Sequence, residues 1–311
     1  MAGNAPVSGI PCPWRHDPDV AGGVPLTGGT ALKTLLEGRE IVLAPGAPDS
    51  ITARLVEAAG FPAVYMTGFG ATASRLGMPD IGLLSQTEMT EHARNMTRAV
   101  AIPVIADADT GYGGPSNIDR SVHEFLCAGA AAIHLEDQVM PKRCGQTSGV
   151  RLLDEESSVK RLRCALEARG SADMLVIGRT DALPGQGIDE AVRRARLYQD
   201  AGADLVFVDG IKKISELEAV AAAVEGPKVV SVVDGNETTR LTATDLQELG
   251  FSLALYAVTA LFTATRAIAD ALSHLRATGT PAGGPPQHSY TEFSQLVGAD
   301  FHTDLDERFG G

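Results

Sequence analysis

Cysteine is scarce, and its spacing suits neither cross-linking nor zinc. Four occur in 311 residues, Cys12, Cys127, Cys144 and Cys164, with no C-x-x-C pair. A chain this long does not need disulfides to fold, so a reducing cytoplasm is the expected compartment. Basic residues are outnumbered. Lys and Arg total 26 against 39 Asp and Glu, a formal net charge of -13, which disfavours nucleic acid or an anionic membrane as partner. No apolar run approaches the length of a membrane span. The opening MAGNAPVSGIPCPWRHDPDV lacks the basic start and apolar stretch of a signal peptide. No internal repeat is visible. A small anionic substrate stays compatible with the acidic balance, because a bound metal inverts the local charge.

What the chain does have is regular alternation. Eight short apolar runs, rich in Val and Ile, fall at 41–47, 63–68, 104–109, 132–138, 174–182, 205–210, 229–235 and 253–258. They read as strands buried on both faces. Amphipathic stretches lie between them, such as 49–60, 87–100, 154–170 and 189–202. Several open with Asp or Thr and close with Gly, as capped helices do. Strands alternating with helices imply a parallel sheet, and eight is the number that closes a (β/α)8 TIM-type barrel; an open doubly wound sheet is the alternative. The expected organisation is an N-terminal arm over 1–30, the barrel over 31–278, and a C-terminal extension over 279–311 made of a short helix and an arm. Cys127 and Cys164 sit among apolar helical residues and read as buried small hydrophobes.

Acids collect where the apolar runs stop: Asp107, Asp109, Glu136, Asp137, Asp181, Asp209 and Asp234, with Arg179 among them. In a β/α barrel those strand ends form the active-site face. So many carboxylates on one face need a positive charge between them. Mg2+, or Mn2+ in its place, suits an all-oxygen site. Helix capping is the competing reading for Asp181 and Asp234. For D-A-D-T-G-Y-G-G at 107–114 the metal reading is stronger, since Asp107 and Asp109 would alternate along a strand and point the same way. Just after the fourth run comes P-K-R-C-G-Q at 141–146. There Cys144 lies between cations and a glycine, a setting that predicts a lowered thiol pKa on a movable loop.

These segments resemble the isocitrate lyase and phosphoenolpyruvate mutase superfamily, especially its methylisocitrate lyase-like branch. The resemblance runs from about Leu32 to about Leu275. It rests on APGAPDSITARLVEAAGF, YMTGFGATASRLGMPDIGLLS, DADTGYG, HLEDQVMPKRCG, GRTDA and RARLYQDAGADLVF in order. It implies a Mg2+-dependent barrel acting on 2-oxo or 2-hydroxy carboxylates through an enolate of pyruvate or glyoxylate. Asp107, Asp109 and Glu136 match the acids around the metal and its waters, with Asp80 beside them. Thr67 and Gly68 match a pair whose amides hold the substrate carboxylate, and Arg179 an arginine that holds the same acid. Lys142, Arg143 and Cys144 match a gating loop whose cysteine protonates the carbanion left by cleavage. Tyr65, Gly145, Gln146, Ser231 and Asp234 complete the substrate-binding set. The activity implied is an oxo-acid lyase on an alkylmalate- or methylisocitrate-like acid, and the assembly a homotetramer that exchanges a C-terminal helix.

Four positions depart from the family pattern. Gln146 replaces a loop His, Asp209 a Glu, Ser231 an Asn, and Glu237 a cation. The metal end is intact while the distal end is rewritten, which points away from isocitrate or methylisocitrate itself. Rival readings are a phosphonomutase, hydrolase or decarboxylase on the same barrel, and a binding protein that keeps the fold without turnover. A more distant rival is a nicotinamide oxidoreductase, from G-F-G-A-T-A at 68–73. That last one requires an acid at the end of the next strand about 20 residues on, where 86–100 instead reads as helix.

Overall fold

A computed structural model of the chain describes residues 28–147 and 149–310. The eight strands are β1 (Val42–Ala47), β2 (Val64–Met66), β3 (Val104–Asp107), β4 (Ala132–Glu136), β5 (Leu175–Thr180), β6 (Leu205–Val208), β7 (Lys228–Ser231) and β8 (Leu253–Tyr256). All pair in parallel with their sequence neighbours, and β8 pairs with β1, closing the barrel. The open-sheet alternative is thereby excluded.

The described helices are α1 (Gly28–Leu36), α2 (Ser50–Ala58), α3 (Gly68–Leu76), α4 (Gln86–Ala99), α5 (Pro115–Ala128), α6 (Glu155–Arg169), α7 (Leu183–Gln186), α8 (Ile188–Asp200), α9 (Ile214–Ala223), α10 (Ala243–Glu248), α11 (Thr259–Thr278), α12 (Tyr290–Leu296) and α13 (Ala299–Phe309). Local chemistry sets their starts. Asp49, Ser85, Asp154 and Thr242 each accept a backbone N–H at a helix N-terminus, satisfying donors that would otherwise lack partners.

Period-two alternation sorts the core into two layers. Outward residues such as Ile133, Val176, Val206 and Val230 pack under the helices. Inward residues such as Ile105, Ala132, Leu175, Ile177, Leu205, Phe207, Val229 and Leu253 fill the barrel, joined by Leu32 of α1 at its N-terminal end. Continued upward, the same parity turns from apolar to ionic: Ala132–His134–Glu136, Leu175–Ile177–Arg179, Ile105–Asp107 and Tyr65–Thr67. The site is therefore the top layer of the barrel interior.

Some expectations change. The first helix begins at Gly28, inside the region expected to be an arm; the rest of that arm, with Cys12, lies outside the described residues. The C-terminal segment forms two helices, α12 and α13, rather than one helix and an arm. Cys127 is exposed, because it lies off the inward stripe of α5, while Cys164 is half-buried and packs against the core at the edge of the α6 stripe. No described helix is long and apolar enough to cross a membrane.

Candidate active site

Register places the charged layer. Asp107 pairs with His134 across β3 and β4, and Glu136 with Arg179 across β4 and β5. Arg179 is the hub. Its guanidinium lies 2.7 Å from Asp209, 3.1 Å from Asp181 and 3.4 Å from Glu136, over the Phe207 ring. Lys142 Nζ bridges Asp80 at 2.5 Å and Asp109 at 2.7 Å. Both cations are buried, and the acids around each outweigh the cost of burial and hold its pKa well up.

Asp107 and Asp109 meet by a different route from strand alternation. Asp109 lies past the end of β3 with φ 47°, a left-handed conformation in which a non-glycine residue is strained. Its N–H donates to Asp107 Oδ1 at 2.9 Å. Gly68 N–H donates to Asp107 Oδ2 at 3.2 Å. A Cβ at Gly68 would stand 2.4 Å from that oxygen, so the close approach needs glycine.

The acids differ sharply in proton affinity. Burial opposes charge on Asp107, but His134, Lys142 and Arg179 override it and hold the carboxyl at about 2. Asp109 is pushed up to about 6 by burial, with Asp107 and Asp80 adding to the effect. Burial raises Glu136 well above the carboxylate range despite Arg179. Burial lowers His134 to about 4, so the imidazole is neutral near pH 7. It shares a 2.9 Å hydrogen bond with the Tyr65 hydroxyl. That hydroxyl is itself held protonated by burial and by Asp107.

Two observations bear on a metal. Both oxygens of Glu136 are buried without a hydrogen-bond partner, and the one ion pair it makes among the described residues is with Arg179 at 3.4 Å, so a further cation or water would find its lone pairs unsatisfied. Among the described residues, no three His, Cys, Asp or Glu side chains group closely enough to hold an ion alone. One or two carboxylates plus waters and substrate oxygens is the donor set Mg2+ prefers. Asp107, the one of the three named acids that lines the cavity, with Asp109 and Glu136 reaching through waters, would fit that pattern.

The loop carrying Cys144 lies over this layer. A Cβ on Gly145 would meet Asp209 at 2.5 Å and Asp181 at 2.7 Å, so only glycine lets the backbone settle there. Gln146 donates to Asp209 at 3.2 Å and accepts from Asn236 at 3.1 Å. Under the loop is a cavity of about 180 Å3. Its polar wall holds Tyr65, Thr67, Asp80, Asp107, Arg179 and Asp209, and its apolar wall Phe69, Val233, Val258 and Phe262. Cys144 faces the same cavity. Its thiol is raised to about 11, by burial first and Asp209 second. This reverses the lowered pKa expected from the sequence, because Arg143 turns away to solvent and Lys142 is spent on Asp80 and Asp109.

Gly145, Gln146 and Ser231 also line the cavity. Arg143, Asp234 and Glu237 do not; all three are exposed, and Asp234 accepts from Thr259. Asp181 and Asp234 cap no helix: Asp181 accepts from Arg179 and Gln138. Sequence reasoning missed His134, Gln138, Asn236, Phe207 and the apolar wall. His134 and Phe207 were findable, since both sit two residues before a flagged acid on the same strand face. The wall residues carry no charge to flag them.

Fold and site together define a (β/α)8-barrel protein with a charged, loop-covered cavity at the C-terminal mouth, the face where barrel enzymes carry their active sites. Comparison narrows this: the chain belongs to the phosphoenolpyruvate phosphomutase family, whose model matches residues 32–276, within the isocitrate lyase/PEP mutase superfamily. It is 39% identical to 2,3-dimethylmalate lyase of Eubacterium barkeri over 86% of this chain and 93% of that protein. It is 38% identical to 2-methylisocitrate lyase of Aeropyrum pernix over 87% of each. The solved structure of oxaloacetate acetylhydrolase with 3,3-difluorooxalacetate superposes with a TM-score of 0.87 at 32% identity, covering 93% of this chain and 99% of that one. The nicotinamide reading falls here. G-F-G-A-T-A does open α3 after β2, but α4 occupies the place where an acid-ended strand would have to lie.

Proposed function

We propose that this chain is a divalent-metal-dependent carbon–carbon lyase that cleaves a 2-hydroxy dicarboxylate of the alkylmalate class. The observation that carries the reading is a protonated thiol, Cys144, facing the same cavity as Arg179 and Asp107. Asp107, Asp109 and Glu136 would hold Mg2+, or Mn2+, through waters. A bound divalent cation supplies positive charge to the oxygens of the 2-oxo acid product.

The chain's own residues account for the rest. Arg179 and the N-terminal turn of α3 at Thr67 face the 2-hydroxy-acid end. A carboxylate of the charged layer would take the hydroxyl proton, and C2 becomes a carbonyl as the C2–C3 bond breaks. The electron pair stays on C3, next to the distal carboxylate, so the carbanion belongs to the distal acid rather than being an enolate of pyruvate or glyoxylate, and Cys144 Sγ–H delivers a proton there. A thiol whose pKa is raised is the better reservoir for that proton. The seated loop keeps bulk water from the carbanion. Phe69, Val233, Val258 and Phe262 offer alkyl contacts rather than a second cation, favouring an alkyl-bearing substrate over a tricarboxylate.

The unpaired outer face of α11, which has no buried residue, supports a homo-oligomer, with a tetramer as the specific reading. A cytoplasmic setting is part of the same proposal.

The test is an NMR screen of alkylmalates, citramalate, oxaloacetate and phosphonopyruvate with Mg2+. Pyruvate or glyoxylate release from a 2-hydroxy acid, abolished by EDTA and lowered about 100-fold or more in Cys144→Ser, is expected. Phosphate release from phosphonopyruvate, or acetate from oxaloacetate, would assign hydrolase chemistry instead, and conversion of phosphonopyruvate to phosphoenolpyruvate without phosphate release would assign the mutase.

A further inference from the structure

Two consecutive residues leaving β4 clamp one residue leaving β5. Asp137 Oδ1 accepts the Asp181 N–H at 3.0 Å, while its Oδ2 takes Thr180 Oγ1 at 2.7 Å, Tyr198 at 2.7 Å and Arg194 at 3.1 Å. Gln138 holds the other side: its Nε2 donates to Asp181 Oδ2 at 2.6 Å. The same Nε2 donates to the Arg143 carbonyl at 2.7 Å, and Gln138 Oε1 accepts the Arg143 N–H at 2.8 Å. Gln138 is buried, and both its amide hydrogens and its oxygen are used. Asp181 in turn accepts from Arg179 Nε at 3.1 Å. One amide therefore joins the residue next to Cys144 to the anion that orients the substrate-holding arginine.

We propose that Gln138 is a positioning residue that latches the Cys144 loop shut by tying the Arg143 backbone to Asp181. Its meaning for turnover rests on Cys144 as proton donor; the latch itself does not. Backbone bonds at the loop's base, Val139 N–H to Arg151 O and Leu153 N–H to Asp137 O, fix where the loop starts. They leave residues 140–147 to be held largely by side chains: Lys142 on Asp80 and Asp109, Gln146 on Asp209 and Asn236 at the far end, and Gln138 on the backbone of the residue next to Cys144. A glutamine suits the near position because it must donate twice and accept once. A carboxylate there would face Asp181 and a carbonyl with no proton to offer.

The measurement is iodoacetamide alkylation of the substrate-free protein, resolved by site through peptide mass spectrometry. Cys127 and Cys164 serve as references for general loosening. In Gln138→Glu, Cys144 should react at least about tenfold faster while both reference rates stay unchanged. Gln138→Met, which keeps length without donors, should behave alike and serves if the charged variant does not fold. Asp181→Ala should give the same acceleration and Asp181→Asn, which keeps an acceptor, little. The double variant Gln138→Met/Asp181→Ala should exceed neither single, as two ends of one link require. A Cys144 rate within twofold of the parent in both Gln138 variants, or multiplying effects in the double variant, overturns the proposal. Because no substrate is present, failure of the lyase reading leaves the outcome readable. In the active enzyme the loss should fall on kcat more than on KM.

Discussion

At the residue scale the decisive quantity is the proton affinity of Cys144. A thiol flanked in sequence by Lys142 and Arg143 invites the expectation of a thiolate. The fold spends those charges elsewhere, and burial beside Asp209 pushes the thiol from 9.0 to about 11. The sign matters for catalysis. A donor with a raised pKa carries its proton at every pH below that value and loses it only as the pH rises through about 11. The alkaline limb of kcat/KM belonging to Cys144 in the free enzyme should therefore stay flat to about pH 10 and fall only beyond it. A thiolate-forming cysteine would instead cut kcat/KM from about pH 7 upward. A kcat/KM–pH profile read alongside ultraviolet titration of the thiolate distinguishes the two, with Cys144→Ser as the blank. An alkaline limb centred below about pH 9 would contradict the burial found here.

At the element scale, the proposed lyase would choose its substrate at the junctions that carry no charge. The N-terminal turn of α3 presents Phe69, the segment after β7 presents Val233, and the entry to α11 presents Val258 and Phe262. The Phe69 and Phe262 rings meet edge to face at 6.2 Å. A methylene that gains or loses such a wall changes selectivity by about 1–3 kcal/mol. Phe262→Ala should shift kcat/KM toward longer alkylmalates by about tenfold or more relative to short ones, measured by competition between two substrates in one NMR sample. An unchanged ratio would remove this wall from the specificity. The same junctions mark where sequence legibility stops. Strand positions, the top-layer acids and Arg179 could be read because period two and charge both leave a signature in the chain. The meeting of Asp107 with Asp109 could be anticipated, but through the wrong geometry, since a φ of 47° at Asp109 is not written in a D-A-D run. Gln138, Asn236 and the apolar wall were illegible because their roles depend on which distant residue closure of the barrel brings opposite them. Asp234 looked equivalent to the other strand-end acids, and Glu237 read as the replacement of a substrate-holding cation, until the turn after β7 carried both to solvent.

At the scale of the whole molecule, α11 is the anomaly. Eight barrel strands usually take eight covering helices, yet this 20-residue helix buries none of its residues within the chain. Ile268, Leu272 and Leu275 are 57%, 60% and 44% exposed, spaced at i, i+4 and i+7 so that they form one stripe. A chain folded in water rarely leaves so continuous an apolar stripe uncovered, and in the proposed homo-oligomer a second copy would supply the matching surface in a closed symmetric assembly. The helix also begins at the cavity wall, through Val258 and Phe262, so whatever covers the stripe steadies that wall. Ile268→Asp with Leu272→Asp should therefore split the assembly, seen as a fall in mass by light scattering after size exclusion. It should also lower kcat/KM, because the distal wall loses its support. A parent chain that runs as a monomer, or a double variant that keeps both mass and activity, would detach α11 from assembly and from the site alike.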